Sequence, residues 1–390
     1  VNISSVVFVV RGEESYGVRR KLLSIMEKMR ARGVGVILYA VGDGEFVSGA
    51  RAIEGVEVHL ATSPPPRFMG HGLRKVLSFA SVIASSRALI RDLNAFLKTS
   101  HADALVFCEH GWVVQIAMAV KGFRGRAFWL MPNVVNGSYP LDVNRRIYAS
   151  AFKRSGMVPV GNSRYTMSTL GRAGRSAEVI LLGVDPEHFN DRSVKPAEIP
   201  GVPETAVKVL MVARVLENKG QLLMLRAILS RPELKDLHLI LVGGASGPEY
   251  PAEMERVAEE AGARDRLHML GPIADPRPYY AAADIAANVR LGAEPFGLTV
   301  VEAMMARKPV LAHRLGGPGE IIVDGETGWL IPNATVDDLA DGLVRMLKDR
   351  DRWGAMGEAG ERRALESFTS TSMTDQLLEI IDRRCGAARA

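Results

Sequence analysis

Two stretches in the second half of the chain carry residue types suited to a charged ligand. Ala213-Arg214-Val215-Leu216-Glu217-Asn218-Lys219-Gly220 follows an apolar run at 207–212 and opens a helical pattern. An arginine at a strand end and a Lys-Gly pair at a helix start set two cations beside free backbone N–H groups and the positive end of a helix dipole. Arginine brings a planar fork of donors and lysine a mobile point charge, a combination that fits a diphosphate. The plain alternative is a pair of solvated side chains on a βα loop. In Glu294-Pro295-Phe296-Gly297-Leu298-Thr299-Val300-Val301-Glu302-Ala303-Met304, two carboxylates stand eight positions apart. Phe296-Gly297-Leu298 would form a helix entrance, with Gly297 letting backbone N–H groups approach a ligand closely. Glu302 is surrounded by Val300, Val301, Ala303 and Met304, so a merely solvated glutamate is the weaker reading. A carboxylate there can accept bonds from vicinal ribose hydroxyls.

The first half offers Cys108-Glu109-His110-Gly111-Trp112 after an apolar run at 104–107, and Arg11-Gly12-Glu13-Glu14-Ser15-Tyr16-Gly17 after another at 6–10. The latter lacks GxGxxG spacing, against a nicotinamide dinucleotide site. Gly171-Arg172-Ala173-Gly174-Arg175 lacks the GK[ST] of a P-loop. No HExxH or clustered His/Asp pattern suggests a metal, and the expectation is a site with no metal and no cofactor, its phosphate charge met by Arg214, Lys219 and a helix end.

The elements that must hold these residues alternate along almost the whole chain. Strand-like runs fall at 6–10, 34–39, 56–60, 104–107, 127–130, 157–160 and 179–182. A second series falls at 207–212, 239–242, 267–270, 285–288, 310–312 and 329–331. Helical patterns lie between, such as 17–32 with Leu22, Leu23, Met26 and Met29 on one face. Unbroken apolar strands spaced by helices predict parallel sheets covered on both faces. The fold class is α/β, two Rossmann-like doubly wound domains, with a ligand cleft expected outside the carboxyl ends of their strands. The proline-bearing stretch around 191–206 reads as a linker between domains at 1–190 and 207–365, and 366–390 as a terminal helix.

At 390 residues, 47% hydrophobic and 24% charged, the chain has an ordinary globular composition. Disordered, collagen-like and disulfide-scaffold classes are excluded. The two cysteines, Cys108 and Cys385, form no CxxC pair, so a zinc ribbon is excluded and a reducing compartment is expected. No apolar run approaches a membrane span and no signal-like start is present, so the expectation is a cytoplasmic protein. Net charge is +5, but residues 1–195 hold 26 Lys and Arg against 15 Asp and Glu, while 196–390 hold 23 against 29. A first half at +11 and a second at −6 suggest that the first faces something anionic, a lipid surface or a phosphorylated acceptor; the alternative is a solvated basic surface with no partner. Few aromatics interleave with the basic residues, which disfavours nucleic acid.

The Arg214–Lys219 and Glu294–Glu302 stretches together resemble the retaining nucleotide-sugar glycosyltransferases of family 4, with the GT-B fold. Leu182-Gly183-Val184-Asp185 with Phe189, Leu241-Val242-Gly243-Gly244, Leu315-Gly316-Gly317-Pro318-Gly319-Glu320 and Asp324-Gly325-Glu326-Thr327-Gly328 extend the likeness, close over 207–365 and looser over 1–190. The resemblance implies that Arg214 and Lys219 hold the diphosphate of a sugar donor, Glu302 its ribose and Glu294 its sugar hydroxyls. Phe296, Gly297 and Leu298 would offer backbone N–H groups. Gly243, Leu270 and Gly271 would lie about the nucleotide, Gly17 would reach the phosphate from the first domain, and the terminal helix would cross back to that domain. Many relatives carry a donor-contacting histidine after the strand equivalent to 127–130. Here Met131-Pro132-Asn133 stands there, and His110 is the candidate to replace it; a capping or lining histidine with no role in turnover is the alternative.

The implied activity is transfer of a sugar, with retention, from a nucleoside diphosphate to an acceptor hydroxyl on a glycan, lipid or small molecule. A sugar-nucleotide epimerase or phosphorylase of the same fold is the alternative. A two-domain solute-binding protein would need an export signal, and a dinucleotide oxidoreductase the absent glycine fingerprint.

Overall fold

Runs of valine, isoleucine and leucine packed from both sides fit the interior of a parallel sheet. In the computed structural model, which describes residues 3–14, 16–63, 79–135 and 143–389, thirteen strands, most of them such runs, form two all-parallel sheets. The chain divides into two compact units, Val1–Leu181 with Ser370–Ala390, and Leu182–Thr369.

The first unit contains β1 (Ser5–Val10), β2 (Gly35–Ala40), β3 (Val56–Leu60), β4 (Ala104–Phe107), β5 (Arg126–Leu130), β6 (Val158–Gly161) and β7 (Glu178–Val179), in the order β3-β2-β1-β4-β5-β6-β7. In β1, Val7 lies between Ile37 and Leu105. The helix Tyr16–Ala31 follows β1 and buries Leu22, Ile25, Met26 and Met29. The terminal helix Ser370–Arg389 packs against it, with Arg32 paired to Asp375 at 2.7 Å.

The second unit contains β8 (Val207–Val212), β9 (Leu237–Val242), β10 (Leu267–Met269), β11 (Ile285–Asn288), β12 (Val310–His313) and β13 (Gly328–Ile331), in the order β10-β9-β8-β11-β12-β13. The helix Val336–Lys348 shows how its cover forms. Thr335 caps the start by accepting the Asp338 N–H at 3.2 Å, and Leu339, Ala340, Leu343 and Met346 bury one face. In each sheet the order reverses between two adjacent strands that are distant in sequence, β1 with β4 and β8 with β11. In doubly wound sheets the ligand crevice opens at the carboxyl ends of such a pair.

Three sequence expectations are corrected. Residues 191–206, read as a linker, pack on the second unit: Arg192 pairs with Glu361, Arg277 lies 3.8 Å from Asp191, and the Ala197 N–H donates to Pro278 O at 2.8 Å. The tail is not one helix from 366. The helix Trp353–Ser367 stops at buried Phe368, whose carbonyl accepts the Val184 N–H at 3.0 Å, and a new helix starts at Ser370. Finally, β7 ends at Val179 rather than 182, because the Leu181 N–H leaves the sheet for the Gln376 side chain at 3.1 Å.

Candidate active site

In the second unit, β8 ends at Val212 and β11 at Asn288, and their pairing (Val209 with Ile285, Leu210 with Ala286) delivers both motifs to one edge. The loop after β8 makes a short turn, Glu217–Lys219, and enters the helix Gln221–Leu229 through Gly220. Lys219 Nζ donates to Glu294 Oε2 at 3.1 Å, and Arg290 Nη1 stands 3.6 Å from the same oxygen. Among the described residues Arg214 makes no side-chain bond and is exposed, while its carbonyl accepts from Gln221 Nε2 at 2.9 Å. Two cations therefore meet one carboxylate, and with Arg214 exposed on the same loop as Lys219 positive charge is left over near a helix entrance, the electrostatics a diphosphate requires.

Backbone packing fixes this arrangement. Gly220 has φ +76°, and a Cβ there would stand 2.3 Å from Val289 O, directly beyond β11. Gly316 has φ +103°, and its Cβ would fall 2.1 Å from Glu294 O; Gly317 is equally close to Phe296 O. These glycines let the loops after β8 and β12 close onto the Glu294 segment, where the Gly317 N–H donates to Glu294 O at 2.8 Å and the Leu291 N–H to Asn218 O at 3.1 Å. His313 Nδ1 lies 3.0 Å from Arg290 O; a carbonyl only accepts, so Nδ1 carries the proton.

Phe296 buries its ring edge-on against Phe368, which leaves its backbone as the part available to a ligand. Gly297, at φ +103°, is the N-cap of the helix Leu298–Met305. On that apolar helix Glu302 is half-buried and accepts the Tyr280 hydroxyl at 3.0 Å. Gly243 has φ +150°, a Cβ there would meet Ala213 O at 2.0 Å, and its N–H is taken by Gly271 O at 2.8 Å. Its place is therefore packing beneath the Arg214 loop. Leu270 and Gly271 follow β10, where a Cβ on Gly271 would meet open space.

In the first unit the ends of β1 and β4 gather a second cluster. Glu14 accepts the Arg11 and Gly12 N–H groups at 2.5 and 3.0 Å, and Arg11 Nε pairs with Glu109 at 2.8 Å while its guanidinium lies over Trp112. Burial pushes both carboxyls up, opposed by backbone N–H groups at Glu14 and by Arg11 at Glu109. Burial also pushes the Cys108 thiol up, and Lys21 is buried nearby. His110 opens the turn His110–Trp112, but its side chain lies outside the described residues. Gly17 is exposed in the first turn of its helix with open space at the Cβ position, whereas Gly12, at φ +99° and where a Cβ would stand 2.0 Å from Gly42 O, is the glycine the backbone demands.

The structure thus joins Arg214, Lys219, Glu294, Phe296, Gly297 and Leu298 about one strand pair, with Glu302 a turn further along. Sequence reading missed Arg290, Tyr280, His313 and Glu14. Arg290 was legible as the residue four before Glu294 and Glu14 as a carboxylate within bonding reach of its own loop, whereas Tyr280 and His313 contact the site only through tertiary packing.

The two parallel-sheet α/β units have the fold of GT-B glycosyltransferase structures. Residues 196–363 match the family model described as Glycosyl transferases group 1. The chain is 32% identical over 246 residues to a GDP-mannose-dependent alpha-(1-6)-phosphatidylinositol monomannoside mannosyltransferase of Mycolicibacterium smegmatis, covering 58% of this chain and 63% of the relative. It is 34% identical over 209 residues to a D-inositol 3-phosphate glycosyltransferase of Corynebacterium glutamicum, covering 50% and 49%. The chain spans about half to just under two thirds of the length of these relatives. A glycosyltransferase from Rickettsia africae matches with TM-score 0.81 at 20% identity, over 98% of this chain and 99% of that one. Anabaena Alr3699/HepE in complex with UDP matches with TM-score 0.79 at 20% identity, over 97% and 100%.

Proposed function

We propose that the protein is a retaining glycosyltransferase that moves a sugar from a nucleoside diphosphate to an acceptor hydroxyl without a metal ion. The observation that carries this reading is the convergence of Arg214, Lys219 and Glu294 at the ends of β8 and β11, beside a glycine-led helix bearing Glu302. Arg214 and Lys219 neutralise the diphosphate as charge builds on it, and Glu302 holds the ribose. Glu294, kept in place by Lys219, accepts from donor-sugar hydroxyls. No carboxylate among the described residues stands out as a covalent nucleophile, so attack is from the front face and the departing phosphate oxygen takes the acceptor proton.

The acceptor belongs to the first unit and is anionic. Two similar proteins are named for a phosphatidylinositol monomannoside and an inositol 3-phosphate, and here Arg11 and Lys21 sit at the β1–β4 edge of a half carrying +11.

The test is turnover with GDP-mannose and UDP-glucose against phosphatidylinositol and inositol phosphate acceptors, with and without EDTA. Nucleotide release with a product keeping the donor's anomeric configuration by NMR is expected, unchanged by EDTA. An inverted product, or loss of rate in EDTA restored by divalent metal, overturns the corresponding part. Interconversion of the sugar nucleotide without an acceptor would replace transfer by epimerisation.

A further inference from the structure

A cavity of about 300 Å³ lies within the second unit, away from the β8–β11 edge, bounded by the chain just after Phe189, the helix Arg277–Ala282 and the turn after Met305. Arg192, Arg277, Arg307 and Lys308 line it, with Asp191 as the lining carboxylate. These four cations and the carboxylates that face them, Asp191, Asp275, Asp284 and Glu361, balance in number but not in hydrogen bonding. Arg277 is matched by Asp275 at 2.7 Å, but Arg192 and Arg307 share the single buried carboxylate of Glu361. Lys308 Nζ donates to a carbonyl, Ala281 O, at 3.1 Å, and the carboxylate whose charge it feels is Asp284. Two guanidiniums on one carboxylate keep most of their N–H donors for another acceptor.

The backbone supplies a second, independent observation. Arg307 has φ +57°, in the left-handed region, where it ends the helix Leu298–Met305 by donating its N–H to Met304 O at 3.0 Å. Glycine holds that conformation at no steric cost, yet an arginine occupies it. A strained residue whose side chain lines a cavity points to use of that side chain. The rest of the wall is apolar: Phe189 packs edge-on against Tyr280, whose hydroxyl is already committed to Glu302. The volume is at the lower end of small-molecule pockets, about 300–1,000 Å³.

We propose that this cavity binds a phosphate-bearing small molecule, its phosphoryl group held by Arg192, Arg307 and Lys308 and its carbon skeleton lying on Phe189 and Tyr280. Binding is read without donor or acceptor, so its failure is separable from that of the proposed transfer. The background is Lys219→Ala, which weakens anion binding at the β8–β11 edge. Isothermal titration at constant ionic strength uses inorganic phosphate in one arm and a hexose monophosphate in the other. Saturable binding is expected in both arms, tighter for the hexose monophosphate if the natural ligand is a phosphorylated metabolite and equal if it is the free ion. Arg307→Gly, which suits the backbone and leaves Glu361 its Arg192 partner, should weaken binding at least tenfold, as should Lys308→Gln, with thermal unfolding confirming an intact fold. Absence of saturable binding in the Lys219→Ala protein, or binding indifferent to both substitutions, overturns the proposal.

Discussion

Lys219 Nζ reaches Glu294 Oε2 at 3.1 Å across 75 residues of sequence, because β8 and β11 are neighbours in the sheet. Neither side chain is placed by its own loop alone. The ammonium holds the carboxylate in place, and the carboxylate keeps the ammonium at the helix entrance.

Lys219→Ala and Glu294→Gln should each lower kcat/KM by about 100-fold or more, as expected for a charge that acts in the transition state. The double variant should fall short of the product of the two losses, since the residues act as a unit. Arg214→Ala should cost similar activity while shifting stability by no more than about 0.5 kcal/mol, because its side chain is exposed. Steady-state kinetics with thermal unfolding checks both; near-normal rates in Lys219→Ala and Arg214→Ala would remove the phosphate assignment.

Glu302→Ala should raise the donor KM with little change in kcat, since a ribose contact holds in ground and transition states alike. Tyr280→Phe should do the same more weakly, about fivefold for the loss of roughly 1 kcal/mol from the bond that orients the carboxylate. A kcat defect at unchanged KM in either variant would place Glu302 in the chemistry instead.

Glycines separate scaffold from ligand contact. Gly316→Ala meets Glu294 O at 2.1 Å and a φ of +103°, so it should destabilise the protein by roughly 2 kcal/mol and weaken donor binding with it. Gly17→Ala meets open space on a helix, so stability should hold or rise by about 0.5–1 kcal/mol. A loss of turnover in Gly17→Ala at unimpaired stability would mark close approach of a ligand; unchanged kinetics would remove Gly17 from the donor site.

His238 on β9 and His268 on β10 stack with Nδ1 and Nε2 3.0 Å apart, and burial holds both below the usual imidazole range, His268 further lowered by its neighbour's charge. The unfolded chain therefore takes up these protons first. Their contribution is complete above the unfolded value of about 6.5 and is lost as pH falls through the depressed folded values. The melting temperature should drop between about pH 7.5 and 5.5. The slope, rather than the absolute value, should flatten in His238→Gln/His268→Gln; an unchanged slope would show that the pair is not its source.

The basic first half predicts binding to anionic vesicles that weakens as salt is added. Candidate contacts are Arg19 and Arg20 at the first helix; Lys21, grouped with them in the sequence argument, is buried, and Arg67, Arg74 and Lys75 lie outside the described residues. Co-sedimentation measures it, and failure to pellet at low salt would leave a soluble anionic acceptor as the partner of that half.

Most of the strands were legible in the sequence because a strand buried on both faces is written as an unbroken apolar run, as at Val6–Val10 and 239–242; the two-residue β7 at the sheet edge carries no such run. The phosphate-type motif was legible because Arg214 and Lys219-Gly220 sit in one short loop, and the Glu294–Glu302 pair because eight positions span a loop and one helix. Only the tertiary structure decided which loops meet. Strand order is set by helix packing between sheets and not by local propensity, so the Lys219–Glu294 contact and the gathering of Arg11, Glu14 and Glu109 follow from the β8–β11 and β1–β4 pairings. The Tyr280 bond to Glu302 and the left-handed Arg307 beside its cavity were hidden for the same reason: a single tyrosine or arginine shows no periodicity, and its role exists only once distant segments pack against it.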